Sequence, residues 1–334
     1  PTSGSPTRAH KANSLAWTLG PESDILLFGD DFQSGRTGKP REDIVDSKAL
    51  IDMLNKDIAE EHAAILRYLV HSYLEGEDTP IGASLLSRSR EEMWHMHWLG
   101  MIIGQLGGEP NLEPAVYPFD PASRSSIFKS YVDYEENLVP HYSRESELVD
   151  DPHISRVLKR EGWESAYHAK KFRKQLEKLS PEEAASRPEG EQELPPDFLD
   201  MFQREVSDKY SEMIEHVRHA WVYQGKDGLG WNLMDTAMTK MKQLAHFAEE
   251  VAENGIEPDF AAADLSLDKT MQAALVASLN RARAAHSRHQ ALQQDTEVQA
   301  LSGLAVSLDL TVQQEAFQVA ELEDWIAALT KSGS

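Results

Sequence analysis

Leu50, Leu54, Ile58, Glu61, Ile65 and Tyr68 recur at steps of three and four residues. That spacing winds them onto one face of an α-helix. Burying a glutamate in such a stripe is unfavourable unless a cation meets it. The pattern recurs in the next segments. Residues 80–106 place Leu85, Glu92, His95, Leu99, Ile102 and Leu106 on one face, stopped by Gly107, Gly108 and Pro110. Residues 124–149 align Ile127, Tyr131, Glu135, Leu138 and Tyr142, with Pro140 predicted to kink or shorten the helix. After a break at Asp151-Pro152, residues 153–179 align Ile154, Leu158, Glu161, His168, Phe172 and Leu179.

Four further helical stretches follow, at 197–223, 229–254, 268–293 and 295–331, and none of the 334 residues falls in a sustained strand alternation. The chain is therefore expected to be all-α, with two four-helix bundles in tandem. Its parts are an irregular N-terminal arm (1–47), a metal-binding bundle (48–180), a polar, Pro-rich linker (181–196) and a second bundle without metal ligands (197–334). The bundles read as copies. Glu109-Pro110 superposes on Glu257-Pro258 at an offset of 148, which also sets Phe202 on Leu54, Val206 on Ile58 and Met213 on Ile65. The same offset puts Lys209 on Glu61, Lys240 on Glu92 and Gln243 on His95. A protonated lysine cannot ligate a metal, so one site per chain is expected.

Glu92 and His95 stand three apart and can reach one ion. Glu61 and Glu135 supply carboxylates from their own helices, each seven residues before a tyrosine, Tyr68 and Tyr142. The adjacent Glu136 competes with Glu135 for the third-helix role. On the fourth helix Glu161, Glu164 and His168 share a face. Either Glu161 acts with Glu164, or Glu164 and His168 form an i, i+4 pair; Ser165 stands where a regular Glu-x-x-His would need glutamate. Tyr68 and Tyr142 have two readings, as hydrogen-bond donors to ligand carboxylates or as core packing. His62, His71, His97 and His141 read as surface or supporting residues, and Trp94 and Trp98 as packing.

With no cysteine, thiolate nucleophiles, iron–sulfur clusters and disulfides are excluded. Metal chemistry must use His and carboxylate ligands, which suit iron or manganese. The formal charge of −23 argues against nucleic acid or an anionic membrane as partner. No apolar run approaches a membrane span and no signal-like N-terminus is seen, so a cytoplasmic location is expected.

These residues resemble the ferritin-like superfamily. The helix LNKDIAEEHAAILRY (54–68) is similar to the first helix of bacterioferritins. The stretch EEMWHMHWLGMIIGQLGGEPNLEPAVYP (91–118) resembles more closely the ferritin-like domain of iminophenylpyruvate dimer synthases. Glu61-His62, Tyr68-Leu69, Glu91 to Met96, Gly107 to Pro110 and Tyr117-Pro118 carry that likeness. The resemblance covers about 48–180, the second unit matching in outline; with the helix pattern it gives two tandem ferritin-like four-helix bundles, and it implies two iron ions, manganese being the alternative. Glu61, Glu92, His95 and Glu135 follow as ligands, with the fourth helix departing from the pattern. It further implies dioxygen or peroxide as co-substrate and oxidation of a small molecule such as an amine, imine or aromatic metabolite. An external electron donor and a monomer or homodimer are expected, not a 24-subunit cage. The alternatives are a ferroxidase or iron-binding protein, and manganese catalase-like peroxide disproportionation.

Overall fold

The structure is a computed structural model that describes residues 45–187, 196–224, 229–262, 265–268 and 270–332. Nearly all of the expected N-terminal arm, and residues 188–195 of the expected linker, lie outside the described residues. Within them every regular element is a helix and there is no strand.

Each helix of the first bundle begins where a side chain takes up its free amides. Helix α1 (Ser47–Glu75) starts at Asp46, which accepts from the Ala49 amide, and α2 (Pro80–Gln105) at Thr79, which accepts from Gly82. Helix α3 (Arg124–Leu148) opens with a reciprocal Ser123–Ser126 capping box, and α4 (Pro152–Lys178) with Asp151 on the amides of His153 and Ile154. A short α5 (Pro181–Ala185) follows. The second bundle comprises α6 (Pro196–Val222), α7 (Leu229–Glu253), α8 (Met271–Leu292), a single-turn α9 (Thr296–Ala300) and α10 (Ser302–Ser332). Two details differ from the periodicity. Helix α3 runs on past Pro140 to Leu148, because Pro140 and Glu136 face solvent and water can satisfy the carbonyl that loses its amide. The last expected helix divides at Leu301, whose ψ of 87° leaves the helical region.

Helices α1 and α2 pack as one hairpin and α3 and α4 as another, closing the first bundle; α6 with α7 and α8 with α10 build the second. The copies share fine detail. Gly107 and Gly255, 148 positions apart, both have φ of 75°, the left-handed conformation that glycine adopts without strain. Four residues on, Asn111 caps the Glu113 amide and its counterpart Asp259 caps Ala261.

The bundles join through α2 against α6 and α1 against α7. Leu54 and Ile58 share one apolar core with Phe202, Val206 and Phe247. The histidines read as surface or supporting groups lie largely inside. His62 Nε2 is 2.7 Å from the hydroxyl of Tyr210, its own counterpart in the second bundle, as expected at a pseudo-two-fold axis. Trp221 donates its indole N–H to His97 at 3.1 Å. The same indole lies flat on α2, where a Cβ at Gly100 would stand 2.3 Å from the ring.

Gly100→Ala therefore tests the joint. Helix propensity alone would make it stabilising by about 1 kcal/mol, whereas overpacking against Trp221 should lower stability by about 1–3 kcal/mol. A lowered urea midpoint, partly restored by adding Trp221→Phe, is the expected result; a raised midpoint would show that α2 and α6 do not meet so closely.

Candidate metal centre

Halfway along the first bundle the apolar core is interrupted by one polar layer. Below it Tyr68, Phe128, Tyr131 and Phe172 form an aromatic cluster; above it lie Leu54, Ile58, Leu99 and Leu158. Glu61, Glu92, His95, Glu135, Glu161 and His168 all sit in the layer, each at most 2% exposed.

Two triads emerge. Ligand atoms of Glu61, Glu92 and His95 lie within 4.8 Å of one another, and so do those of Glu92, Glu135 and His168. Glu92 belongs to both. One of its oxygens is 2.7 Å from His95 Nδ1 and the other 2.7 Å from His168 Nδ1. Glu92 Oε1 and His168 Nδ1 are nevertheless not hydrogen bonded, and Glu135 Oε2 has no partner either. Buried lone pairs that converge without bonding one another fit a cation between them.

The far side of each imidazole is held as well. His95 Nε2 is 2.6 Å from Glu164, which Arg160 grips at 2.9 Å. His168 Nε2 is 2.6 Å from Glu91, which Arg88 grips at 2.7 Å. A carboxylate on the outer nitrogen fixes the tautomer that leaves Nδ1 free to ligate. The tyrosines cross over in the same reciprocal way. Tyr68 donates to Glu135 at 2.7 Å, and Tyr142 donates to Glu61.

The structure thus brings Glu61, Glu92, His95, Glu135 and His168 together and sets Glu164 on the outer edge of the His95 ring. Glu136 is 49% exposed and pairs with Arg173, so the inward carboxylate of α3 is Glu135. Glu161 is fully buried with neither oxygen hydrogen bonded. The two hairpins match with His95 on His168, which sets Ser165 opposite Glu92 and leaves the layer one carboxylate short of a symmetric site. Glu161, one turn earlier, supplies that charge.

Electrostatics follow from this crowding. Burial pushes Glu61 up to about 8, with the Glu92 charge adding to it. Burial likewise lifts Glu161 well above the usual carboxylate range, Glu61 and Asp57 adding and His95 opposing. Burial pulls both imidazoles down. Together the charges of Glu92 and Glu61 at His95, and of Glu92 and Glu135 at His168, with the hydrogen bonds to neighbouring carboxylates, outweigh it and hold both rings well above the usual histidine range. Protons on these rings must leave when a metal ion binds at Nδ1.

The second bundle meets the same layer with its own cations. Lys209, at the place of Glu61, is 2.5 Å from Glu315; Lys240, at the place of Glu92, pairs with Glu212. All four are at most 3% exposed. His289 lies 2.9 Å from both Glu205 and Glu315. Among the described residues, α6–α10 hold no cluster of the kind that the first bundle carries.

The fold is ferritin-like, with two four-helix bundles and buried Glu/His triads in the first. No protein-family model, curated protein or solved structure matches the chain.

The carboxylates of the second bundle predict its acid response. Burial opposes ionisation of Glu205, but His289 and Arg288 bring it down to about 2, and Glu212 and Glu315 are also lowered from 4.5 by Lys209, Lys240 and His289. Folded values below the unfolded one mean stability that is fully present above pH 4.5 and lost as the pH falls toward 2. Glu315→Gln, which removes the nearer of the two buried carboxylates that face Lys209, should lower stability by about 3–5 kcal/mol at pH 7. Its deficit against the wild type, read from urea midpoints, should shrink below pH 4.5; a constant deficit would exclude the ion pair.

Proposed function

We propose that this chain is a non-haem dinuclear-metal oxidoreductase, di-iron with dimanganese as the alternative, that uses dioxygen or peroxide to oxidise a small organic substrate. The observation that carries this reading is Glu92, shared by two buried Glu/His triads, in the second of which Glu92 Oε1, His168 Nδ1 and Glu135 Oε2 converge without hydrogen bonds. Glu61, Glu92 and His95 would hold one ion, and Glu92, Glu135 and His168 the other. With Glu161 the layer carries four carboxylates, whose charge two divalent cations cancel. Oxygen and imidazole donors without thiolate suit iron and manganese. Such a metal pair, when bound, supplies the electrons for reducing dioxygen or peroxide.

The chain's own groups prepare the place. Glu91 and Glu164 orient the imidazoles, Tyr68 and Tyr142 hold Glu135 and Glu61, and the aromatic cluster below keeps water out. An open groove of about 340 Å³ lies on the surface between the bundles, and we place a small-molecule substrate there. Leu66, Val70, Phe119 and Phe260 give it apolar walls, and Arg67 and Tyr117 give it polar points. The Tyr117 hydroxyl is 3.0 Å from that of Tyr68, which donates to Glu135, so a hydrogen-bonded path runs from the groove to the ligand layer. A flat apolar molecule with one or two polar groups, such as an aromatic amine or imine, suits such walls better than a sugar or nucleotide. An external electron donor completes the turnover, and a monomer or homodimer is the proposed assembly.

Metal analysis tests the reading. The dinuclear layer should hold about two ions per chain in the wild type and fewer than one in Glu92→Ala, because both triads lose a ligand. Glu164→Gln should keep the stoichiometry but weaken affinity by about 10–100-fold, as loss of an orienting group does. Retention of both ions in Glu92→Ala and in His168→Ala would refute the site. Oxygen uptake by the reduced, iron-loaded wild type but not by Glu92→Ala would carry the redox reading.

A further inference from the structure

A second cluster lies one helical turn from the dinuclear layer. Asp57 precedes Glu61 by four residues on α1 and is fully buried. Its Oδ1 is 2.9 Å from His141 Nε2, while Oδ2 is shielded from solvent and has no hydrogen-bond partner. Glu145, one turn beyond His141 on α3, sets Oε1 3.3 Å from the same nitrogen; its Oε2 is also buried and without a partner. Glu60 closes the group, and ligand atoms of Asp57, Glu60 and His141 lie within 4.8 Å of one another. Three carboxylates thus face one imidazole. The charges that act on Glu60 are those of His141 and Asp57. Burial, with the charge and hydrogen bonding of Asp57 adding and His141 opposing, pushes Glu145 up to about 8.

The second bundle shows what such a pocket takes. Buried Ala274, Leu275, Ser278, Leu279 and Ala282 of α8 repeat buried Ile127, Phe128, Tyr131, Val132 and Glu135 of α3, at an offset of 147. That register puts Arg288 on His141 and Leu292 on Glu145. On α6 Glu205 stands for Asp57 and Asp208 for Glu60. Arg288 binds Glu205 at 2.8 and 3.1 Å and Asp208 at 2.9 Å, so its guanidinium sits on the two carboxylates equivalent to Asp57 and Glu60. The first bundle lacks that guanidinium and has one carboxylate more. The other replacements follow the same rule, Lys209 and Lys240 standing where the first bundle offers metal ligands.

We propose that Asp57, Glu60, His141 and Glu145 bind a third divalent cation, at the outer end of an acidic route into the dinuclear centre. His141 is 30% exposed and forms the outer edge. Asp57 and Glu61 stand one turn apart on one face of α1, and Glu161, fully buried with both oxygens unbonded, belongs to the same layer as Glu61. A cation held at Asp57 therefore has a carboxylate within reach on its way to Glu61. The route rests on the dinuclear reading above; the third ion does not.

Mn(II) binding to the full chain, by equilibrium dialysis and electron paramagnetic resonance, tests both parts. The wild type should bind about one ion more than the dinuclear complement. His141→Arg, which copies Arg288, should lose that one ion, keep the others and retain the wild-type urea midpoint. Glu92→Ala should keep the outer ion, and adding His141→Arg should remove it. If His141→Arg binds as many ions as the wild type, the third site is overturned. If Glu92→Ala loses none, the dinuclear reading fails instead, and the His141→Arg difference still judges the outer site. Filling of the centre should slow by about 10-fold or more in His141→Arg as the local cation concentration falls; an unchanged filling rate would overturn the route.

Discussion

Glu92 touches both histidines of the centre, one with each carboxylate oxygen, and the first bundle is organised around that double contact. Its two hairpins must be held at the same height for one side chain to serve both. The reciprocal bonds do this: Tyr68 and Glu91 reach from the α1–α2 hairpin to Glu135 and His168, and Tyr142 and Glu164 reach back to Glu61 and His95. Each reciprocal pair ties opposite hairpins at the layer, so ligand geometry and bundle closure are one property. Buried charge without such partners would be strongly unfavourable, and with them it specifies a single register.

The two bundles solve one electrostatic problem in different currencies of charge. Both place carboxylates across the middle of a helical core. In the second, lysine and arginine side chains neutralise them within the chain. In the first, only imidazoles are present, and several carboxylate oxygens have no partner. The difference was partly readable beforehand, because Lys209, Lys240 and Gln243 fall on Glu61, Glu92 and His95 when the repeats are aligned. Their partners were not. Glu212, Glu315 and His289 come from positions whose first-bundle counterparts are unlike them, and only the fold brings them to the lysines.

Periodicity made the helices legible, since long amphipathic stretches with capping residues and glycine stops leave few alternatives. Boundaries failed where a local bond decided them, as at Leu301. Within the site, Glu61, Glu92, His95, Glu135 and His168 could be picked out as polar residues in apolar stripes. Glu164 could not be separated from a ligand, because neighbours on a helix differ by a rotation that one helix alone does not calibrate. Aligning His95 with His168 would have shown it as the counterpart of Glu91. Asp57 sends the same kind of signal, a charge between Leu54 and Ile58 one turn from Glu61, while His141 reads from sequence only as a surface or supporting residue. The hydroxyls of Tyr68 and Tyr142 had two readings that only the opposite hairpin could resolve.

Helix α2 is a beam loaded on two sides. One face carries Glu92 and His95, and five residues beyond His95 the bare backbone at Gly100 bears the flat of Trp221. A helix is stiff along its axis, so a push from that indole is transmitted to the ligand end as rotation or sliding of the whole rod, with little bending to absorb it. The second bundle, which has lysines where ligands would stand, thereby bears on the same rod that presents the shared carboxylate, through a surface set apart from the ligand atoms.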